Sequence, residues 1–318
     1  MSDVLELFSA PTRAWFSAAF DGPTAAQEGA WRAAAGGGNA LVIAPTGSGK
    51  TLAAFLLAVD RLAGGPPPDD PRLRCRVLYV SPLKALAVDV QRNLREPLAG
   101  VGQAAGRLGV RTPEISVGMR TGDTPASERA KFTRAPQDIL VTTPESLYLL
   151  LTSNARESLR GVRTVIVDEV HAVAASKRGA HLALSLERLD DLLAEPAQRI
   201  GLSATVRPVE EVATFLAGGR PVQVVRPADT LAAKTVQVSV EVPVEDMTQL
   251  PVPEAAAEAQ RPGSELGFQE ETTGAPVRRP SIWPSVERRI YELVTAHRST
   301  IVFTNSRRLS ERLTTRLN

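Results

Sequence analysis

The chain has 318 residues, which at about 100 to 200 residues per domain predicts one large domain or two. Hydrophobic residues make up 43% and charged residues 23%, so the chain can bury a core and is not disordered as a whole. A single cysteine, Cys75, excludes an internal disulfide framework and a cysteine-rich zinc site, and it favours a reducing compartment.

The net charge of +2 conceals an uneven distribution along the chain. Residues 241–276 contain eight acidic residues and one basic residue, a balance of −7 that leaves +9 for the remainder. A basic body with an acidic segment is compatible with a polyanionic partner, although solvated charge of this size is common. The charge therefore supports a nucleic-acid partner only together with other features.

The sequence contains no pattern typical of export or membrane insertion. Residues 1–10 carry Asp3 and Glu6 but no basic residue, unlike a secretory signal. The longest apolar stretches, Leu41 to Pro45 and Leu52 to Val59, are shorter than the roughly 18 residues that a membrane-spanning helix needs. We expect a cytoplasmic protein with no membrane partner, associated with the nucleoid if the source is bacterial.

From Asn39 to Val225, short β-branched runs alternate with longer helical patterns, which is typical of a parallel sheet flanked by helices. The predicted strands are 40–44, 77–81, 115–118, 138–142, 164–167, 199–202 and 222–225. The predicted helices between them are 51–62, 84–99, 127–132, 145–151, 180–193 and 209–216. We expect an α/β, doubly wound domain over residues 1–228, with functional loops at the carboxyl ends of its strands.

Beyond this domain the pattern changes. Residues 235–242 alternate with period two, and 251–280 are rich in proline, alanine, glycine and glutamate, so 229–280 is predicted to be a strand followed by a flexible acidic linker. Residues 284–295 and 306–317 are predicted helices, and 300–304 a strand. Because residues 281–318 are too few for a core of their own, we expect the chain to be part of a longer protein.

A glycine-rich segment, Ala44 to Thr51, lies between the first predicted strand and the start of a predicted helix. Its backbone N–H groups and the helix start can bind phosphates, Lys50 can neutralise the outer phosphates, and the Thr51 hydroxyl can bind Mg²⁺. The segment departs from the general pattern at Ala44, where glycine is usual. The predicted ATP-binding residues are Pro45, Thr46, Gly47, Ser48, Gly49, Lys50 and Thr51.

An acidic pair, Asp168 and Glu169, follows the apolar run Thr164 to Val167. Such a pair is often only a strand leading into a capped turn. Together with a phosphate loop, it predicts one carboxylate that holds Mg²⁺ and one that orients and deprotonates the attacking water. We therefore expect Lys50, Asp168 and Glu169 to be catalytic, with Thr51 and Asp168 as the magnesium residues.

Upstream of the loop, Thr24 and Gln27 lie in a segment that can fold back over it. An amide both donates and accepts hydrogen bonds, which matches the N6 donor and N7 acceptor of adenine, so both residues are predicted to bind the nucleotide. The alternative is an ordinary helix start capped by Thr24. The aromatic residue that stacks on the base remains open among Phe8, Trp15, Phe16 and Phe20.

Several motifs then follow in a fixed order. They are Ser81 to Leu86, Thr121 to Thr124, Thr142 to Leu147, Asp168 to His171 and Ser203 to Thr205. With the phosphate loop, this order is similar to that of motifs I, Ia, Ic, Ib, II and III of helicase superfamily 2, and Ile301 to Arg307 resembles motif IV. The Asp-Glu-Val-His form, followed by Ser176 to Leu182, resembles the Lhr, or large helicase-related, family.

This resemblance covers nearly the whole chain and implies residue roles. The domain at 1–228 would be a RecA-like ATP-binding domain, and 281–318 the start of a second RecA-like lobe. His171, Ser203 and Thr205 would couple the hydrolytic site to nucleic acid. The residues implied to contact nucleic acid are Lys84, Thr121, Gly122, Thr143, Pro144 and Arg178. Each of these could instead be an ordinary loop or cap residue, and Arg178 could simply pair with an acid.

The resemblance implies an ATP- and Mg²⁺-dependent motor that moves 3′ to 5′ on single-stranded DNA and serves in DNA repair. An RNA:DNA hybrid is an alternative partner, and protein partners are unknown. Because the later motifs of the second lobe and its arginine are absent from the chain, we expect weak nucleotide binding and slow hydrolysis, if any, by the chain alone.

Other functions remain open at this point. A superfamily 2 RNA helicase would share most of the motifs, although His171 in place of aspartate weighs against the DEAD-box type. A non-catalytic nucleic-acid-binding truncation product would bind without turnover. A P-loop kinase would need a phosphoacceptor site and a lid, and the sequence indicates neither.

Overall fold

The computed structural model describes residues 3–112, 114–204, 206–227, 237–244 and 282–317. The predicted linker at 251–280 and Thr205 lie outside these ranges. Contacts divide the chain into two units, Met1–Ala233 and Lys234–Asn318. No helix in the described ranges is both long and apolar enough to cross a membrane.

The first unit is built on a seven-stranded sheet in which every described pairing is parallel. The strands are β1 (Asn39–Ile43), β2 (Val77–Val80), β3 (Val117–Arg120), β4 (Ile139–Thr142), β5 (Thr164–Val167), β6 (Gln198–Ser203) and β7 (Val222–Val225). Their order across the sheet is β3-β4-β2-β5-β6-β1-β7. This arrangement confirms the predicted α/β, RecA-like fold.

Helices cover both faces of the sheet. They are α1 (Ala10–Ala19), α2 (Ala25–Ala35), α3 (Lys50–Ala63), α4 (Lys84–Asn93), α5 (Arg95–Arg107), α6 (Ala126–Arg134), α7 (Pro144–Leu151), α8 (Lys177–Leu192) and α9 (Val209–Ala217). Alternate residues of β1 enter two separate cores: Val42 belongs to the core that contains Trp31 and Phe55, and Leu41 to the core that contains Leu186. Side chains of successive strand residues point to opposite faces, so each face buries its own helical layer.

Two predicted elements differ from the structure for identifiable reasons. The helix predicted at 84–99 is divided into α4 and α5 at Leu94. Pro97 has no N–H to donate to the carbonyl of Asn93, four residues earlier, so a continuous helix would lose a bond there. The strand predicted at 115–118 begins later, at Val117, because the Ser116 N–H donates to the Asp138 carboxylate at 2.8 Å.

The second unit contains the two predicted helices, here α10 (Trp283–Ala296) and α11 (Arg307–Leu317). Arg289 pairs with Glu241, and Arg316 pairs with Glu287, both at 2.6 Å. The strands predicted at 235–242 and 300–304 were wrong where residues are described, because 237–244 and 300–304 are irregular. A strand needs a neighbour for its backbone groups, and no sheet pairing involves these residues in the described part of the unit.

A buried arginine joins β6 to the helices beside it. Arg199 is 1% exposed, and its Nη2 lies 2.7 Å from Oδ2 of Asp190 and 2.9 Å from Oε1 of Glu187. Its Nη1 donates to the carbonyl of Leu216 at 3.0 Å. A buried guanidinium requires such partners, because an unpaired buried charge is strongly unfavourable.

We expect Asp190→Ala to lower the free energy of unfolding of the first unit by about 3–5 kcal/mol, because it leaves a buried guanidinium without its buried partner. Glu187→Ala is the matched control, since Glu187 is 55% exposed and its loss should cost about 1 kcal/mol or less. Urea denaturation followed by tryptophan fluorescence measures both values. Equal losses in the two variants would contradict the assignment of Asp190 as the main partner.

Candidate nucleotide and nucleic-acid site

The loop between β1 and α3 has the backbone shape of a phosphate cradle. Gly47 and Gly49 adopt left-handed conformations, with φ of 84° and 80°. A Cβ on Gly49 would lie 2.5 Å from Nε2 of Gln27, so a side chain at this position would require Gln27 to shift. Gly49 directly precedes α3, whose first N–H groups are not needed within the helix. The loop and the helix start together can therefore bind an anion.

Lys50 is the cation of this loop and is buried at its base. Its Nζ donates to the carbonyl of Ala44 and, at 2.9 Å, to the carbonyl of Pro45. Burial lowers the pKa of Lys50, while the negative charges of Glu169 and Asp168 act to raise it. The lysine thus lies near both predicted carboxylates as well as the loop.

The predicted upstream residues contact the phosphate loop directly. The Thr24 hydroxyl donates to the carbonyl of Ser48 at 2.8 Å and accepts from the Gln27 N–H at 3.2 Å. Gln27 Oε1 in turn accepts from the Thr24 N–H at 2.9 Å, which completes a capping box at the start of α2. The alternative of a capped helix start is therefore confirmed, and the segment folds against the loop as expected, while nucleotide binding by Thr24 and Gln27 stays a prediction.

The acidic pair lies at the same edge of the sheet as the loop. β5 and β1 are both parallel neighbours of β6, so their carboxyl ends meet at one edge. Asp168 and Glu169 line a cavity of about 530 Å³ together with Thr46, Lys50 and Thr51. The glycine-rich loop and the acidic pair therefore meet at one cavity, as the hypothesis of a nucleotide site requires.

Asp168 is held by two hydrogen bonds. Its Oδ2 accepts from the Tyr79 hydroxyl at 2.5 Å, and its Oδ1 accepts from the Glu169 N–H at 2.9 Å. Burial raises the pKa of Tyr79 well above its ordinary value, as does the adjacent Asp168 charge, so its hydroxyl remains a donor. Sequence reasoning missed Tyr79, because a tyrosine in an apolar strand gives no signal of a polar role.

Of the four aromatic candidates, Phe20 is the one that lines the cavity. Its side chain is 40% exposed, whereas Phe8, Trp15 and Phe16 are buried in the core. Of these four rings, Phe20 is therefore the candidate for stacking on a base at this site.

The residues of the cavity fit a magnesium-bound nucleoside triphosphate. The glycines at 47 and 49 leave backbone space that a Cβ would fill, and Lys50 supplies positive charge. The Thr51 hydroxyl and the Asp168 carboxylate supply the oxygen ligands that Mg²⁺ prefers. Their roles stay predictions, but the arrangement satisfies what those roles require.

His171 lies between the acidic pair and the loop after β6. Its Nδ1 is 3.2 Å from both Ser203 Oγ and the Ala204 nitrogen, and 3.3 Å from Oε2 of Glu169. The Ala204 N–H can only donate, so this bond requires an unprotonated Nδ1, whereas a bond to Glu169 requires a protonated one. The structure thus brings His171 and Ser203 together as predicted, while Thr205 lies outside the described residues.

Most of the predicted nucleic-acid residues lie at the other half of the same edge, after β2, β3 and β4, whereas Arg178 lies in α8, after β5. Lys84 is 53% exposed, and its Nζ pairs with Asp123 at 2.7 Å. Gly122 adjoins it, since a Cβ there would lie 3.6 Å from the Lys84 Nζ. Lys84 therefore presents an exposed positive charge where the resemblance places a DNA phosphate.

Other members of this set are less accessible through their side chains. Thr121 is 5% exposed and Thr143 is 3% exposed, and the Thr143 hydroxyl donates to Ser146 Oγ at 3.1 Å. Pro144, the first residue of α7, is also buried. Arg178 pairs with Glu145 through two hydrogen bonds, which lower the pKa of that glutamate, so the alternative of pairing with an acid holds for it.

The family model of the DEAD/DEAH box helicases matches residues 24–212, which include the phosphate loop and the acidic pair. The chain belongs to the DEAD/DEAH box helicase family. Within this family it groups with the Lhr helicases. A Lhr helicase/probable uracil glycosylase of Mycolicibacterium smegmatis is 59% identical over 100% of this chain, and a Lhr helicase/uracil glycosylase of Escherichia coli is 56% identical over 98%.

A solved structure extends this similarity to three dimensions. The Mycobacterium smegmatis helicase Lhr bound to ssDNA and AMP-PNP superposes with a TM-score of 0.83 at 59% identity, over 100% of this chain and 36% of that one. The chain spans about a fifth of the two curated bacterial relatives, 19% and 20% of their lengths. It therefore corresponds to a part of these Lhr proteins.

Gly49→Ala should weaken binding of a fluorescent ATP analogue by roughly tenfold or more, because alanine is strained at this φ and its Cβ would meet Gln27. Gly102→Ala is the matched control, since nothing lies within 4 Å of a Cβ at that helical position. Titration of the analogue with each variant gives the dissociation constants. Unchanged affinity of the Gly49 variant would show that the loop does not hold the phosphates.

Proposed function

We propose that this chain is the ATP-binding part of a DNA helicase that couples ATP hydrolysis to 3′ to 5′ movement on single-stranded DNA, with a role in DNA repair. The observation that carries this proposal is the single cavity shared by the glycine loop, Lys50 and the pair Asp168–Glu169. The ssDNA and AMP-PNP of the similar Lhr structure support the choice of DNA and of an adenine nucleotide.

In this proposal each residue at the cavity has a distinct task. The N–H groups of the loop and the Lys50 ammonium bind the phosphates, and Thr51 and Asp168 would hold Mg²⁺. When bound, Mg²⁺ supplies charge neutralisation on the phosphate oxygens. Glu169 orients the attacking water and accepts its proton. Phe20 stacks on the base while the Gln27 amide donates to it.

The residues that would couple ATP hydrolysis to DNA binding lie at the carboxyl edge of the sheet. Nδ1 of His171 lies within 3.3 Å of the candidate base Glu169 and of the Ser203–Ala204 loop, so it can bond to one or the other according to whether it carries a proton. Lys84, at the end of β2, would bind a DNA phosphate in place of Asp123. Such contacts to the DNA backbone do not depend on the base sequence, as a translocating motor requires, and they weaken as the salt concentration rises.

We also propose that the 318-residue chain alone hydrolyses ATP slowly. Phosphoryl transfer in motors of this kind is strongly accelerated by an arginine that stabilises the developing charge. Among the described residues that line the cavity, Lys50 is the one cation and none is arginine. Multiple-turnover hydrolysis by the 318-residue chain, with and without single-stranded DNA, measures this rate.

Glu169→Gln should leave binding of the ATP analogue nearly unchanged and reduce single-turnover ATP hydrolysis by about 10²- to 10⁴-fold, because the amide cannot accept the proton of water. Glu195→Gln, at an exposed loop position, is the control for loss of one surface carboxylate. Single-turnover hydrolysis with the chain in excess over ATP gives the rates. Full hydrolysis by the Glu169 variant would remove that residue from its assigned role.

Lys84→Ala should weaken binding of single-stranded DNA and reduce the slope of log affinity against log salt by about 1, because one phosphate contact is lost. Lys131→Ala, also an exposed lysine of the first unit, is the matched control and should bind as the unchanged chain does. Fluorescence anisotropy with DNA, RNA and RNA:DNA hybrid probes measures both variants. Preferential binding of RNA would favour the alternative of an RNA helicase.

A further inference from the structure

Tyr79 is a polar residue in a strand that is otherwise apolar. β2 has the sequence Val-Leu-Tyr-Val, and all four residues are buried. The Tyr79 ring is 0% exposed and stacks on Phe55, with centroids 4.8 Å apart and an angle of 19° between the planes. Phenylalanine would fill the same space without a hydroxyl to satisfy, so packing alone does not explain the tyrosine.

The Tyr79 hydroxyl completes a set of bonds that hold Asp168 in place. It donates to Oδ2 at 2.5 Å, while the Glu169 N–H donates to Oδ1 at 2.9 Å. The Asp168 N–H itself donates to the carbonyl of Val80 at 2.9 Å. The backbone and both carboxylate oxygens are thereby fixed, which removes rotation about the last side-chain bond.

This arrangement leaves Asp168 able to bind a further ligand. A carboxylate oxygen has two acceptor positions, so each oxygen of Asp168 keeps one free after these bonds. The residue is 8% exposed and lines the cavity beside Lys50 and Thr51. Residues that orient a metal-binding carboxylate typically change the metal affinity about 10- to 100-fold when they are lost.

We propose that Tyr79 is a positioning residue, whose hydroxyl holds the Asp168 carboxylate in the orientation that binds Mg²⁺ with the nucleotide. This inference rests on the proposed nucleotide site. It also gives β2 a second task, because the same strand leads through Ser81 into the loop that ends at Lys84. One strand thus carries both a support for the Mg²⁺ site and a candidate DNA contact.

The test is Tyr79→Phe in the 318-residue chain, with nucleotide binding followed as a function of Mg²⁺ concentration. We expect the Mg²⁺ concentration for half-maximal effect to rise by about 10- to 100-fold. Binding of the ATP analogue in EDTA should stay unchanged, because the loop and Lys50 are intact. A variant with a generally damaged fold would instead lose affinity in both conditions.

Two further variants separate positioning from stability. Ser185→Ala removes another buried hydroxyl bond, the 3.0 Å bond to the His181 carbonyl, and should leave the Mg²⁺ response unchanged. In an Asp168→Asn background, Tyr79→Phe should have little additional effect, because its action passes through Asp168. Additive effects of the two substitutions would overturn the proposal.

The remaining outcomes are also distinct. If the unchanged chain binds the ATP analogue without any response to Mg²⁺, the proposed nucleotide site fails and the role of Tyr79 fails with it. If the unchanged chain responds and Tyr79→Phe responds identically, the role of Tyr79 alone is overturned. Loss of folding in Tyr79→Phe, seen by circular dichroism, would assign the hydroxyl to stability and would likewise overturn the role.

Discussion

The parallel direction of the strands is the constraint on which the candidate site depends. In a parallel sheet all carboxyl ends lie at one edge, so residues far apart in sequence meet there without long loops. Lys50 follows β1 and Asp168 follows β5, yet both line one cavity because β6 joins their strands. Had one of these strands run antiparallel, the cation and the carboxylates would lie at opposite edges and would not share a cavity.

The backbone around the site adopts conformations that are unfavourable elsewhere. Gly47 and Gly49 have positive φ, which glycine adopts without steric cost. Glu169 has φ of 44° without being glycine, and it is the one non-glycine residue with positive φ among those described. A side chain in this region costs on the order of 1–3 kcal/mol, and such strain concentrates at functional sites. Its position directly after Asp168 agrees with a catalytic role for the turn.

The sequence alone predicted those elements that depend on residues close together in the chain. The strand β5 and the helix α9 have the predicted start, and the loop from Pro45 to Thr51 has the left-handed glycines that a phosphate cradle requires. What could not be predicted depends on partners distant in sequence. The role of Tyr79 arises from Asp168, 89 residues away, and the break at Leu94 from one missing N–H. Residues 300–304 have a strand-like composition, but composition cannot supply the neighbour that a strand requires.

The candidate nucleotide site and the candidate DNA contact lie at one edge of the sheet, and the bonds that hold them differ in burial. β2 and β5 are adjacent, and they mark the boundary between the nucleotide half and the half that carries Lys84. Across that boundary the Tyr79 hydroxyl bonds to the Asp168 carboxylate, whereas the pair Lys84–Asp123 is exposed to water. An exposed ion pair contributes about 1 kcal/mol or less, so a phosphate can displace Asp123 at little cost. The buried bond is far less easily broken, so loss of the Lys84–Asp123 pair would leave the contact between β2 and Asp168 intact.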